Sequence, residues 1–438
     1  MRSDQTISTV GDAFDLVNGF AFKSADFIEN GIPVIKIKNV KAGEFTEQSF
    51  SYVGEKFLEK RKEKLARIGD LLISMSGNRH DGSPHTWVGK VAYFNKRGRY
   101  FINQRVGALR LKQGVEVDLK FAAYVLASMS YQEHFIAVAT SSGGQANLSP
   151  TQILGAPLNL PSYAEQCEIG RLISLFDDRI ELLRQTNTTL EAIAQALFKS
   201  WFVDFDPVHA KAEGRPPEAM DAATAALFPS EFEESELGPI PKGWSTGAFT
   251  EQFDFTMGQS PPGSTYNSDG IGVPFFQGCT DFGDVFPAER IYCSTPKRFA
   301  RAGDVLMSVR APVGALNIAT FECSIGRGLC GVRHKSGSTG LTYLSLKACV
   351  ERIVNVAGEG ALFRSLSKKQ LAGLTVLMPD ERVILRFITI IEPIIDRMIA
   401  AARQANHLSQ LRDTLLPRLI SGKLRLLRAT EAAEGALA

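Results

Sequence analysis

The segment LSPTQILGAPLNLP at residues 148–161 aligns without gaps with LSKKQLAGLTVLMP at residues 366–379, an offset of 218 residues. Leu148, Ser149, Gln152 and Pro161 recur in the second segment as Leu366, Ser367, Gln370 and Pro379. The same offset relates five later pairs, with Ile173, Asp178, Arg179, Leu190 and Leu197 matching Ile391, Asp396, Arg397, Leu408 and Leu415. A long internal repeat sets the architecture, because the chain then consists of two copies of one unit.

A weaker similarity precedes each of these segments. IGDLLISMSG at 68–77 resembles AGDVLMSVRA at 302–311, and Arg105 in INQRVGALRL aligns with Arg327 in SIGRGLCGVR. The offset changes from 234 to 222 between these two matches, so the intervening loops differ in length. Each copy therefore reads as a globular part followed by a helical part, and the sequence predicts a pseudo-two-fold internal repeat.

The helical parts carry clear start signals. A capping box pairs two side chains with free backbone amides at a helix start, and its spacing of three residues occurs three times. The three pairs are Ser149 with Gln152, Ser162 with Glu165, and Ser367 with Gln370. Helices are therefore expected to begin directly after these serines.

Apolar residues then recur at alternating spacings of four and three, the a/d pattern of a coiled coil. The first seam contains Ile169, Ile173, Phe176, Ile180, Leu183, Asn187, Leu190, Ala194, Leu197 and Trp201. The second contains Phe387, Ile391, Ile394, Met398, Ala401, Ala405, Leu408, Leu415 and Leu419, with Arg412 in place of an apolar residue. The sequence predicts that the two helices pair with each other; two separate amphipathic helices, each packed on its own domain, are the alternative.

Two features of the second helix qualify this prediction. Pro393 should kink or interrupt it, because proline removes a helical hydrogen bond and clashes with the preceding turn. Pro417 and Gly422 place its end near residues 416–421.

The remaining segments have a different composition. Short apolar runs separated by glycine-rich turns predict a strand-rich α+β domain in 1–147 and another in 246–365. The stretch 204–239 holds nine acidic residues, two basic residues and five prolines. We therefore expect an acidic, extended connector over 206–245, with a short helix near 218–227.

Motifs of several enzyme classes are absent from the sequence. It contains no phosphate-binding loop, no dinucleotide fingerprint and no nucleophile elbow. Its six cysteines form no C-x-x-C pair, so reduced thiols are expected and no metal site is predicted. The N-terminus has no apolar signal region, and no apolar run reaches the 18 or so residues needed to cross a bilayer. These features favour a cytoplasmic binding protein without catalytic residues.

The net charge of +2 hides a segregation of charge. Residues 1–147 carry +5, whereas the connector 204–239 carries −7. Basic globular parts favour contact with DNA phosphates, and forked or amide side chains on loops are suited to reading base edges. The candidate DNA-binding residues of the first copy are Lys36, Lys38, Asn39, Asn78, Arg79, Asn103, Gln104 and Arg105. Those of the second copy are Gln259, Gln277, Arg310 and Arg327.

This organisation resembles the specificity (S) subunit of type I restriction-modification systems. The resemblance rests on the L-S-x-x-Q helical repeats, on ALFKSWFVDFDPV at 196–208 and on LLPRLISGKL at 415–424. It covers nearly the whole chain, specifically in the helical repeats and only in architecture elsewhere.

The resemblance implies that the globular parts are target recognition domains, each reading one half of a split, asymmetric double-stranded DNA sequence. The two long helices would form an antiparallel intramolecular coiled coil at 148–205 and 366–425, followed by a tail at 426–438. Two methyltransferase (M) subunits would dock on the helices and connector, with Phe198, Trp201, Phe202 and Phe205 as candidate partner-binding residues. Restriction (R) subunits would join them. S-adenosylmethionine, ATP and magnesium would belong to those partners.

Two other classes of function remain open at this point. One is a stand-alone DNA-modifying enzyme, which the missing motifs oppose. The other is a coiled-coil interaction scaffold that binds no DNA.

Overall fold

The fold was analysed in a computed structural model. It describes residues 7–47, 49–80, 86–142, 144–283, 285–358, 365–420 and 424, although not the side chain of residue 142. Contacts divide the chain into two compact units, the first formed by 1–180 with 407–438 and the second by 181–406. The 426–438 tail, predicted as a separate segment, lies outside the described residues.

The first unit begins with the strand-rich part that the sequence predicts. Its elements are α1 (Val10–Ala13), β1 (Phe14–Asn18), β2 (Phe27–Ile28), β3 (Ile32–Ile35), β4 (Ser51–Val53), α2 (Lys56–Arg61), β5 (Leu71–Ser74), β6 (Ser76–Gly77), β7 (Val91–Tyr93), β8 (Phe101–Ile102), β9 (Val106–Leu111), α3 (Leu119–Ala127), α4 (Met129–Val138), β10 (Thr140–Ser142), β11 (Gln145–Asn147) and α5 (Pro150–Leu154). They form three sheets, ordered β1-β9-β5-β7, β2-β4-β3-β8 and β10-β11-β6. Strand β5 is buried along its whole length because its apolar side chains fill both faces.

A single helix, α6 (Tyr163–Phe202), follows the first copy. Its start is fixed as predicted, because the Glu165 carboxylate accepts hydrogen bonds from the Ser162 amide and hydroxyl. The equivalent boxes at Ser149 and Ser367 are also formed. At 1.5 Å per residue, a helix of 40 residues is about 60 Å long.

The segment expected to be an extended connector is instead folded. It contains α7 (Asp206–Ala212), α8 (Ala222–Ala226), β12 (Phe232–Ser235), β13 (Gly238–Pro241) and β14 (Ser245–Ala248), with α8 inside the range predicted for a short helix. The prediction failed because apolar side chains recur among the acidic residues, and Val208, Phe228, Ile240 and Trp244 are buried in the core of the second unit. Many of the acids serve this local fold; Asp221, for example, caps α8 and pairs with Arg386.

The second copy repeats the topology of the first. Its elements are α9 (Phe249–Gln252), β15 (Phe253–Met257), β16 (Tyr266–Asn267), β17 (Val273–Phe276), β18 (Tyr292–Cys293), β19 (Phe299–Ala300), β20 (Val305–Ser308), β21 (Leu316–Ile318), β22 (Cys323–Ile325), β23 (Leu329–His334), α10 (Thr339–Gly358), α11 (Lys368–Ala372), β24 (Thr375–Met378) and α12 (Glu381–Ile420). The sheet β15-β23-β20-β21 has the order of β1-β9-β5-β7. The internal repeat is therefore confirmed at the level of strand order.

The helices α6 and α12 pack antiparallel within the second unit. Asn187 Nδ2 donates a hydrogen bond to the Met398 carbonyl (3.2 Å), and the rings of Phe198 and Phe387 lie 5.8 Å apart. The residue numbers of the contacting partners therefore decrease along α12 as they increase along α6. This pairing confirms the predicted antiparallel arrangement.

The second seam differs from its prediction in two details. Ile395, which is 1% exposed, is the buried residue where Ile394 was expected. Helix α12 also continues through Pro393 without the predicted break and ends at Ile420, inside the range expected for its end. Pro393 is exposed, so its ring faces away from the seam. No helix among the described residues is long and apolar enough to span a bilayer.

Candidate nucleic-acid interface

The carboxyl ends of β3 and β8 bring several predicted residues of the first unit together. These strands are parallel, with Val34 opposite Phe101 and Ile35 opposite Ile102. The chain therefore leaves both strands at one edge, and the Asn103 amide donates to the Ile35 carbonyl (3.0 Å). Lys36 and Asn103 consequently begin two adjacent loops.

A third loop joins this edge from β5. The amide of Met75, the residue after β5, donates to the Arg105 carbonyl (2.9 Å). Gly19 packs directly against the 103–105 loop. A Cβ at that position would lie 2.0 Å from the Asn103 carbonyl oxygen, so only glycine fits. We call this group the first edge, defined by Lys36, Lys38, Asn78, Arg79 and residues 103–105.

The side chains of the first edge differ in freedom. Lys38, Gln104 and Arg105 are exposed, whereas Asn103 is half-buried. Lys36 is held more tightly, because its ammonium donates to Ser51 Oγ (2.8 Å) and lies 4.2 Å from the centre of the Phe27 ring. Burial, with a smaller contribution from Lys38, lowers the pKa of Lys36.

Asn39 was predicted to contact DNA, and the structure contradicts this. Its side chain is fully buried; Oδ1 accepts from the Lys36 amide (2.9 Å), and Nδ2 donates to the Thr46 carbonyl (3.1 Å). These bonds close the turn after β3. A buried side chain with both of its polar atoms hydrogen-bonded cannot reach a base. Asn39 therefore stabilises the loop that follows β3.

Within the first edge, Asn78 and Arg79 directly follow β6. Asn78 Nδ2 donates to Thr86 Oγ1 (3.0 Å), and Arg79 Nη2 donates to the Ala139 carbonyl at the end of α4 (2.6 Å). Both side chains are half-buried. Each is therefore anchored on the protein at one point while part of its surface stays accessible.

The second unit has a corresponding edge, which we call the second edge, defined by Gln259, Gln277, Arg310 and Arg327. The amide of Gln259 donates to the Ile325 carbonyl (3.0 Å), and the Gly328 amide donates to the Gln277 carbonyl (3.2 Å). All four defining side chains are exposed. The predicted residues of the second copy are therefore gathered in the same topological place as those of the first.

The structure corrects one sequence alignment. The Phe20 amide donates to the Ile102 carbonyl, and the Gln259 amide donates in the same way to the Ile325 carbonyl. Ile102 and Ile325 are therefore equivalent residues, and they are 223 positions apart rather than the 222 of the sequence alignment. By the same register, Arg327 is the counterpart of Gln104, and Gly328 that of Arg105. The sequence alignment was wrong by one residue because it paired the identical residues Arg105 and Arg327. The strand pairing, which sets the true register, cannot be read from the sequence.

The aromatic residues predicted to bind a partner are largely internal. Phe198, Trp201 and Phe202 are 8%, 3% and 6% exposed and pack around Phe387 in the core of the second unit. Burial leaves them no surface to offer, so the prediction of direct partner contact is wrong for these three. Phe205 is half-buried, and its ring lies 5.9 Å from that of Trp244.

Sequence reasoning missed two polar residues that contact the first edge, Ser76 and Asn147. Asn147 Oδ1 accepts hydrogen bonds from Ser76 Oγ (2.6 Å) and Arg105 Nη1 (3.1 Å). Ser76 and Asn147 are 71 positions apart and meet only because β6 pairs with β11. The sequence has no local signal for this contact.

The fold is one of repeated strand-rich units that are each followed by a long helix. The family model for the type I restriction modification DNA specificity domain matches residues 2–192. The MjaX type I restriction enzyme specificity subunit of Methanocaldococcus jannaschii is 25% identical over 404 residues, covering 90% of this chain and 88% of that protein. The HindI specificity subunit of Haemophilus influenzae is 27% identical over 356 residues, covering 70% of this chain and 77% of that protein.

A solved structure shows the same fold. The S subunit of a type I restriction-modification system from M. genitalium superimposes with a TM-score of 0.55 at 17% identity, covering 96% of this chain and 98% of that one. This chain is therefore similar in sequence to the specificity subunits of type I restriction-modification systems, and it shares the fold of a solved S subunit.

Proposed function

We propose that the first and second edges each read one half of a split, asymmetric double-stranded DNA target. The observation that carries this is one topological edge built twice with different side chains. The loop after β8 presents Asn103, Gln104 and Arg105, whereas the loop after β22 presents Arg327 between two glycines. Different donors and acceptors at one position favour different base pairs, so two unlike half-sites are expected.

A domain exchange tests this proposal. Residues 1–147 would be replaced by the matching part of another specificity subunit, and the recognised sequence would be determined from DNA methylation with the cognate methyltransferase subunits. We expect one half-site to change and the other to stay. A change in both half-sites would contradict independent reading, and an unchanged target would place recognition elsewhere.

In this proposal the chain supplies no catalytic chemistry. Two methyltransferase (M) subunits would bring S-adenosylmethionine, and restriction (R) subunits would bring ATP-driven, magnesium-dependent cleavage, in the cytoplasm where the DNA lies. The paired helices would set the spacing of the half-sites. DNA modification by the isolated chain would favour a stand-alone enzyme instead, and the absence of any DNA preference by the assembled complex would favour a scaffold.

The surface for a methyltransferase subunit must lie outside the buried aromatic cluster. Helix α6 exposes Leu182 (51%) and Ile193 (50%), which are 11 residues apart and so lie on one helical face. We propose this apolar face as part of the docking surface, since exposed apolar side chains on one face are typical of protein contacts.

Replacing Leu182 and Ile193 with aspartate should reduce copurification of a methyltransferase subunit by roughly tenfold, as expected when apolar interface anchors are lost. The matched control is Thr188→Asp, at an exposed position of the same helix. Equal copurification of all variants would place the docking surface elsewhere.

A further inference from the structure

The guanidinium of Arg105 is hydrogen-bonded to a neutral side chain of the first unit. The other arginine of the first edge, Arg79, donates instead to a backbone carbonyl. Its Nη1 donates to Asn147 Oδ1 (3.1 Å), and the same oxygen accepts from Ser76 Oγ (2.6 Å). Two donors thus converge on a single acceptor. The Arg105 side chain is nevertheless exposed.

Both ends of this contact are fixed by backbone pairing. The Arg105 carbonyl accepts from the Met75 amide (2.9 Å), and Asn147 lies opposite Ser76 in the antiparallel β11–β6 pair. Leu148, the next residue, donates its amide to the Met75 carbonyl (2.9 Å). The amide side chain of Asn147 is therefore held at a set distance from the Cα of Arg105.

We call the hydrogen bond between Arg105 and Asn147 the tether. A tether of this kind changes the energetics with which an arginine binds DNA. A free arginine side chain has many rotamers, and ordering it at an interface costs about 0.5–1.5 kcal/mol. A hydrogen bond made before binding removes part of that cost and fixes the plane of the guanidinium, which matters for bidentate contact with a base. Because asparagine is neutral, the positive charge of Arg105 remains available.

The tether is specific to the first unit. At the second edge, Gly328 occupies the place of Arg105, and the bridge corresponding to Ser76 and Asn147 pairs Arg310 with Ser365. Loss of the tether should therefore affect the first half-site and spare the second.

We propose that Asn147 is a positioning residue that orients Arg105 for reading the first half-site, an inference that rests on the proposed function. Asn147 acts through Arg105 and Ser76 and makes no base contact of its own. Its removal should cost discrimination between sequences without removing a cation from the interface.

The test uses the full chain assembled with its methyltransferase subunits, and duplexes that carry the intact target or a target altered in one half-site. Asn147→Ala should lower discrimination at the first half-site about three- to tenfold, as expected for one lost hydrogen bond. The slope of log affinity against log salt should stay unchanged, because no phosphate contact is lost. Arg105→Ala should lower discrimination further, and the double variant should be no worse than Arg105→Ala alone.

Two further variants separate positioning from folding. Thr140→Ala removes the bond from Thr140 Oγ1 to the Asn147 carbonyl (3.2 Å) without touching Arg105, and should leave discrimination unchanged. Asn147→Asp keeps an acceptor in place, so it should retain more discrimination than Asn147→Ala while its charge makes the salt slope shallower by about one.

Additive losses in the double variant, or a loss at the second half-site, would overturn the role of Asn147 while leaving the proposed function intact. A wild-type complex without sequence preference would overturn both.

Discussion

Asp177 on α6 and Arg412 on α12 form an ion pair in the first unit, with Oδ1 and Nη1 2.5 Å apart. The Tyr124 hydroxyl on α3 donates to the other oxygen of the same carboxylate. Burial, followed by the Asp177 charge, raises the pKa of Tyr124. Asp177 therefore joins α6 to α3 through Tyr124 and to α12 through Arg412, the residue that interrupts the apolar seam in the sequence.

Replacing Arg412 with leucine should destabilise the first unit by about 1–3 kcal/mol. The substitution restores an apolar seam residue but leaves the Asp177 carboxylate half-buried without its cation, and loss of a hydrogen bond to a charged group costs this much. Urea unfolding measures the effect. Arg397→Leu, an exposed position of the same helix, is the control and should change stability by less than about 0.5 kcal/mol. Equal effects would mean that the ion pair contributes nothing.

Acid should destabilise the second unit through His334. Burial, with a smaller effect of Lys335, lowers its pKa from 6.5 to about 4 in the folded chain. The unfolded chain then binds more protons between these values, so stability that is present above pH 6.5 is lost as the pH falls towards 4.

Comparison with His334→Asn isolates this effect, because asparagine can accept the Ser336 amide bond without titrating. The difference in the free energy of unfolding between wild type and variant should change by up to about 3 kcal/mol over this range. The exposed His407, replaced in the same way, is the control. A difference that is independent of pH would contradict the assignment.

Gly19→Ala should disrupt the first edge. The added Cβ would lie 2.0 Å from the Asn103 carbonyl oxygen, so the 103–105 loop must move. We expect a loss of roughly 1–3 kcal/mol in stability together with weaker discrimination at the first half-site. Gly54→Ala, where the nearest atom outside its chain neighbours is 3.9 Å away, should be tolerated. Unfolding and binding measurements that show equal behaviour of the two variants would contradict this account.

Asn187→Leu should stabilise the helix pair by about 1 kcal/mol. Asn187 Oδ1 is buried without a hydrogen-bond partner among the described residues, and an unsatisfied polar atom in a seam is costly. A polar seam residue can nevertheless specify register, so the variant should lose part of the fixed register between α6 and α12. Thr189→Leu, at an exposed position of α6, is the control for helix propensity and should give no comparable gain in thermal unfolding.

Arg327→Ala and Gln104→Ala should have separate effects on DNA reading. These residues occupy equivalent places in the two edges, so each substitution should relax discrimination in one half-site, by about 1–3 kcal/mol for a lost bidentate contact. Methylation assays on duplexes altered in one half-site would measure this. Relaxation of the same half-site by both variants would contradict the repeat-based assignment.

Much of the architecture could be predicted from local patterns. The capping boxes at Ser149, Ser162 and Ser367 fix helix starts within a few residues, and the four-three spacing identifies two long helices. The connector was mispredicted because composition reports average polarity, whereas four scattered apolar side chains suffice to fold it onto a core. The structure places the candidate residues on loops at the first and second edges, whereas Asn39 is buried.

The sequence by itself determined the repeat, the helical seams and the resemblance to specificity subunits, because periodicity, caps and repeated motifs are local properties of the chain. Tertiary structure alone decided that Asn147 meets Arg105, that Arg327 is the counterpart of Gln104, and that Phe198, Trp201 and Phe202 are internal. Each of these outcomes depends on strand register or packing between distant segments. Register and packing are set by the whole core, so no window of sequence contains them.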